Sequence, residues 1–166
     1  MANAHAHHEA PNYMNIFWAL TILTVFELGV GPMKNLAAAI AAVRHVDQPY
    51  FKILLDTMHF FRLGGTVAEL AQIDPALIGY VQLCDAPWQP AFPTYMEEAL
   101  HERLVPGTGE LPLAEALALV PADVVVSVEV PQRSLAEAGV APFERVSACV
   151  KAARQLLARA NNHRQR

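Results

Sequence analysis

The sequence predicts an α/β domain: parallel strands covered on both faces by helices, in a repeated strand–helix order. Three observations carry that expectation. Strand-like and helix-like segments alternate from about residue 51 to residue 157. The strand-like runs are apolar throughout, as strands buried on both faces are. Three of them end abruptly in polar groups, at Leu54-Leu55-Asp56, Val81-Gln82-Leu83-Cys84-Asp85 and Val126-Ser127-Val128-Glu129. In a parallel sheet the C-terminal strand ends face the ligand, so three such endings in order predict one shared site.

The elements follow in order. Residues 1–12 form a polar leader with His5, His7 and His8, either a solvated terminus or a transition-metal binder. Residues 13–30 are nearly apolar, with Asn15 and Glu27 near the ends. They read as one helix approaching the length that spans a bilayer, about 20 residues. They read equally as a shorter helix followed by a strand, Thr24 to Glu27. The domain proper is expected over residues 31–161, with 162–166 as a tail. Leu36, Ile40 and Val43 recur at helical spacing up to Val46. Pro49 closes that helix, and Phe51 to Leu55 is a strand leading into Asp56. Thr66 and Glu69 form a capping box for a helix to about Gln72. Asp74-Pro75 turns the chain into a strand from Ile78 to Leu83. Pro87, Pro90 and Pro93 mark an irregular loop, and Thr94 with Glu97 forms a second capping box, opening a helix to about Leu104. Pro112 suits the first position of a helix whose core side is Leu113, Ala116, Leu117 and Val120. Asp123 to Val130 is the strongest strand signal, a β-branched run. A last amphipathic helix starts at Pro142, with Phe143, Val146, Val150, Ala153 and Leu157 as its expected buried stripe.

Composition bounds the function. A chain of 166 residues makes one domain, and 54% hydrophobic with 17% charged residues describes a globular one. Net charge of -4 and a pI near 5.9 leave no basic surface to neutralise phosphates, so no nucleic-acid partner is expected. The basic residues near the end, Lys151, Arg154, Arg159, Arg164 and Arg166, mark a solvated helix face and tail. Cys84 and Cys149 have neither metal-type nor disulfide-framework spacing and read as buried free thiols of a reducing compartment. A cytoplasmic location follows, with membrane anchoring through residues 13–30 as the alternative.

Asp56, Gln82 and Glu129, with Glu27 if the first strand forms, place four oxygen donors at strand ends. That set suits Mg²⁺ or Mn²⁺, which prefer oxygen ligands. The competing role for each carboxylate is to cap the next helix. His59, three residues after Asp56, reaches the same place as a general acid or base, imidazoles titrating near neutrality; a backbone-satisfied histidine is the alternative. Arg62, Arg103 and Arg133 are candidate anchors for an anionic substrate group, or surface ion pairs. Gly64-Gly65 is a weak phosphate-turn signal.

From about Asn35 to Leu157 the chain resembles the C-terminal part of the sugar phosphate isomerase/epimerase family, the xylose-isomerase-like TIM barrels. The motifs are Leu55-Asp56-Thr57-Met58-His59, Arg62-Leu63-Gly64-Gly65, Val81-Gln82-Leu83-Cys84-Asp85-Ala86-Pro87, Pro106-Gly107-Thr108-Gly109-Glu110-Leu111-Pro112-Leu113 and Ser127-Val128-Glu129-Val130. The resemblance implies a partial (β/α)₈ barrel, about four C-terminal βα units of a fold that needs about 250 residues. It implies a divalent ion at Asp56, Glu129 and Gln82, the last standing where many members have His and matching a dehydroshikimate dehydratase-like branch. Glu27 falls at the fourth ligand, and His59 at the histidine beside the metal. Isomerisation, epimerisation or dehydration of a carbohydrate-like small molecule through an enediolate is implied. A half-barrel leaves strands open, so a homodimer or a separate barrel half is an expected partner. Residues 4–30 separately resemble the N-terminal segment of subunit IV of bacterial haem-copper oxidases.

Overall fold

The structure, a computed structural model, describes residues 36–164. The His-rich leader, the apolar segment 13–30 and Glu27 lie outside the described residues, so the expected N-terminal helix or strand is not among the elements that follow.

Helix α1, Leu36–Val46, is alanine-rich and buries Val43. It ends at Asp47, whose backbone sits in the left-handed region (φ 47°), a conformation aspartate tolerates better than most residues. Strand β1, Ile53–Asp56, runs straight into α2, Thr57–Arg62, because Asp56 serves both as last strand residue and as N-cap. The Asp56 Oδ1 accepts the His59 backbone N–H at 3.0 Å, satisfying a donor the new helix leaves free. Helix α3, Val67–Leu70, has the expected reciprocal box: Glu69 N–H donates to Thr66 Oγ1 at 3.1 Å and Thr66 N–H to Glu69 Oε2 at 2.9 Å. A 3₁₀ turn, Pro75–Leu77, leads into β2, Ile78–Leu83.

Helix α4 spans Tyr95–His101 and ends earlier than expected. Thr94 caps it alone, because the Glu97 carboxylate turns to Arg133 instead of back to the cap. Helix α5, Leu113–Leu119, buries Leu113, Ala116 and Leu117 as its spacing predicts, with Val120 buried just beyond. Strand β3 is confined to Val125–Val128. Helix α6, Arg133–Glu137, adds to the expected elements: it is short, has no side-chain cap and buries nothing, so no periodicity announces it. Helix α7, Pro142–Arg164, runs through most of the expected tail.

The sheet order is β1-β2-β3, parallel throughout, with Asp56 beside Gln82 and Gln82 beside Ser127. Residues paired this way point to the same face, so Asp56, Gln82 and Ser127 form one row, with Glu129 two residues beyond. The opposite face carries Leu55, Val81 and Leu83 into a core closed by Met58, Leu117 and Leu156. Helices α5 and α7 pack together over it.

Two expectations change here. Among the described residues no element covers the face that bears Asp56 and Gln82, where Leu54 is 51% and Val125 60% exposed. The stripe of α7 is also displaced. Cys149, Ala153, Leu156 and Ala160 are buried, while Phe143 and Val146 are exposed. The 4, 3, 4 spacing of the buried set keeps them on one helix face, and small residues let α5 approach. Arg164, expected as solvated tail, donates to the carbonyls of Leu117, Ala118 and Val120 and so closes the C-terminal end of α5.

Candidate active site at the strand ends

The site forms where β1, β2 and β3 end. Thr57 joins the first two: its hydroxyl donates to Cys84 O at 2.7 Å and accepts the Cys84 N–H at 3.0 Å. This holds Asp56 against the end of β2. Glu129 follows β3 and stays in register, its N–H donating to Leu83 O at 3.1 Å.

Arg103 lies at the centre. Its Nη1 is 2.7 Å from Asp56 Oδ2, in a pair whose side chains are 4% and 6% exposed, and 3.7 Å from Glu129 Oε2. Nε donates to Ala99 O at 2.8 Å, and Nη1 also faces Cys84 Sγ at 3.5 Å. Nη2 lies 3.3 Å from His59 Nε2. Burial works against the guanidinium charge, but the Asp56 carboxylate and the Cys84 sulfur outweigh it, and the pKa stands above its ordinary value. Burial, then the Asp56 charge, pushes the Cys84 thiol up, which keeps it protonated and inert.

Guanidinium only donates, so His59 Nε2 accepts from Arg103 and the ring proton sits on Nδ1. That proton is directed at the hydroxyl oxygen of Tyr95, which contacts Nδ1. Burial, then the Asp56 charge, pushes the Tyr95 hydroxyl up to about 12. Tyr95 escapes sequence reasoning because it appears only as the first residue of α4, 36 positions from His59.

Asp85 is the second residue the sequence under-read. It is 1% exposed, and its carboxylate accepts four backbone N–H groups: Ala86 at 2.9 Å, Gly107 at 2.8 Å, Gly109 at 3.0 Å and Leu111 at 3.2 Å. Its backbone also pairs with Leu104 in both directions. Asp85 thus folds the Pro106–Leu111 loop around one carboxylate and fixes the backbone beside Arg103. The glycines serve that loop: Gly107 has φ of 84°, and a Cβ on Gly109 would strike the Asp85 carboxylate and lie 2.7 Å from Ala86 O.

The remaining arginines are not brought to this cluster. Arg62 makes a buried 2.6 Å pair with Glu98 and donates to Trp88 O, so it ties α2 to α4 and the proline-rich loop. Arg133 pairs with Glu97 at 3.4 Å and Glu137 at 4.0 Å on an exposed surface. Arg62 and Arg133 thus stand in ion pairs away from this cluster, and Arg103 is the one of the three that faces the strand ends.

The donor set suits a divalent cation. Two carboxylates and a neighbouring amide lie along one sheet face, and the carboxylates converge on one cationic nitrogen, that of Arg103. Among the described residues no three His, Cys, Asp or Glu side chains gather as a metal cage.

Residues 23–156 match the family described as xylose isomerase-like TIM barrel. Among solved structures, the chain is similar to the IolI protein with a bound zinc atom, at 22% identity and TM-score 0.65, covering 76% of this chain and 45% of that one. It is similar to a xylose isomerase-like TIM barrel/4-hydroxyphenylpyruvate dioxygenase fusion protein at 26% identity and TM-score 0.59, covering 74% and 19%. A xylose isomerase domain protein from Alicyclobacillus acidocaldarius matches at 23% identity and TM-score 0.55, covering 76% and 44%. The chain therefore spans less than half the length of these structures. No curated protein matches it. The comparisons give no support to the haem-copper oxidase resemblance; the family match itself takes in residues 23–30. Among the described residues, no helix is long and apolar enough to cross a membrane.

Proposed function

The chain belongs to the xylose isomerase-like TIM barrel family, and from that premise we propose that it carries part of a divalent-metal-dependent isomerase or epimerase site for a sugar or sugar phosphate. The observation that carries this reading is the convergence of Asp56 and Glu129, from two different strands, on one buried cation position with the His59 ring alongside. Asp56, Gln82 and Glu129 would hold the ion. All-oxygen donors favour Mg²⁺ or Mn²⁺. When bound, the ion would polarise a carbonyl and its adjacent hydroxyl.

The chain's own groups do the rest. Asp56 is fixed through Oδ1 by the His59 N–H, so Oδ2, which accepts from Arg103, keeps one orientation. His59, held by Tyr95 at Nδ1, presents the Nε2 lone pair as a base for the proton beside the carbonyl; Glu129 is the alternative proton carrier. Arg103 supplies a fixed positive charge toward substrate oxygen.

The test is solvent exchange: ketoses, aldoses and their phosphates are incubated with protein and Mn²⁺ in D₂O, and deuterium beside the carbonyl is read by NMR. The reading predicts exchange that His59→Ala abolishes; no exchange with any of them contradicts it. Release of water in place of exchange marks a lyase of the dehydroshikimate dehydratase type.

A second reading is favoured by one observation, the exposure of Leu54 and Val125 on the site-bearing face. There the chain is a partial barrel that works only with, or solely for, association with a second barrel half, either another copy or a separate chain. Size measurement in solution separates the two readings.

A further inference from the structure

We infer that the cleft between β3 and the start of α7 binds a short aliphatic carboxylate, Arg145 and Gln132 taking the carboxylate and valine side chains the tail. The cleft is lined by Val128, Val130, Gln132, Arg145, Val146 and Cys149 and has a volume of about 110 Å³. Side chains alternate along a strand, and Glu129 keeps the register of β3, so Val128 and Val130 point away from Ser127 and Glu129. The cleft therefore lies behind the strand-end cluster, and the inference stands apart from the metal-site reading.

Two unsatisfied polar groups distinguish it from a packing gap. Gln132 is 7% exposed, and its side-chain amide has no hydrogen-bond partner among the described residues. A buried amide normally finds a partner, because leaving it unpaired forfeits its hydration. Arg145 Nε donates to Val140 O at 3.2 Å, which holds the side chain in place. Its two Nη groups have no partner among the described residues. Guanidinium donors beside a neutral amide suit a carboxylate, whose two oxygens accept from such a fork. The remaining walls, three valines and the Cys149 thiol, suit a hydrocarbon tail. Size sets the bound: a cavity of about 150 Å³ takes benzene, so this one takes about five or six non-hydrogen atoms.

The experiment titrates isobutyrate, and isobutyramide as its neutral counterpart, into the full chain carrying ¹³C-labelled valine methyls, read by NMR. The expected result is saturable shifts of Val128, Val130 and Val146 at millimolar isobutyrate, with isobutyramide weaker by about tenfold or more for want of the charge-assisted pair. Arg145→Gln should bring the acid down to the affinity of the amide. Val146→Phe, at an exposed position, should fill the cleft and abolish binding. The valine spectrum shows whether each variant is folded, and Val146→Met serves if Val146→Phe is not. No saturable shift at these valines, equal binding of acid and amide, or binding indifferent to both substitutions overturns the inference.

Discussion

Arg103 Nη1 and Asp56 Oδ2 stand 2.7 Å apart at the end of β1, almost wholly out of solvent. A buried pair of this kind is costly to break from one side, because the remaining charge is stranded. Arg103→Met is expected to lower the unfolding free energy by about 3–5 kcal/mol in urea titration. Adding Asp56→Asn to it should cost much less than the sum of the two single changes, since no buried charge then remains.

Asp85 offers a sharper separation of fold from chemistry. Its carboxylate accepts four backbone N–H groups, so Asp85→Ala leaves several of them without partners. The expected loss is at least about 3 kcal/mol, each stranded donor costing roughly 1–3. Limited proteolysis should then cut within residues 106–111, where the wild type resists. Gly109→Ala should behave similarly, because the added methyl meets the same carboxylate.

How far the sequence reveals the fold depends on how local the cause is. The Thr66 box, the α5 core positions and the extent of β2 are written in neighbouring residues and appear as expected. The face of α7 is decided by what packs on it: Phe143 is 84% exposed, and the smaller Cys149, Ala153 and Ala160 are inside. The site divides the same way. Asp56 and Glu129 are legible as strand-end groups, and His59 by its spacing three residues after Asp56. Tyr95, and the choice of Arg103 over Arg62 and Arg133, depend on contacts between elements 36 to 47 residues apart.

The displaced stripe makes its own prediction. Phe143→Ser should change stability by no more than about 0.5 kcal/mol, as exposed substitutions do. Leu156→Ala, at a position 5% exposed, should cost about 2–5 kcal/mol. Thermal unfolding of the two variants checks the assignment of the buried face.

Tyr95 gives a pH dependence with a defined sign. Burial, then the Asp56 charge, raises its hydroxyl from the ordinary value near 10 to about 12. The folded chain therefore keeps a proton that the unfolded chain has lost between pH 10 and 12. The Tyr95 contribution is fully present below pH 10 and disappears as pH rises through the folded value, so stability falls across that window. Urea titration from pH 9 to 12 should show a steeper decline in wild type than in Tyr95→Phe.

The central claim is that Asp56 and Glu129 are built for a cation. Equilibrium Mn²⁺ titration of the purified chain, with the bound ion counted per chain, tests it most directly. The account predicts one saturable site that Asp56→Ala and Glu129→Ala each abolish or weaken severely in folded protein. Absence of a saturable site, or a site indifferent to both substitutions, would contradict it.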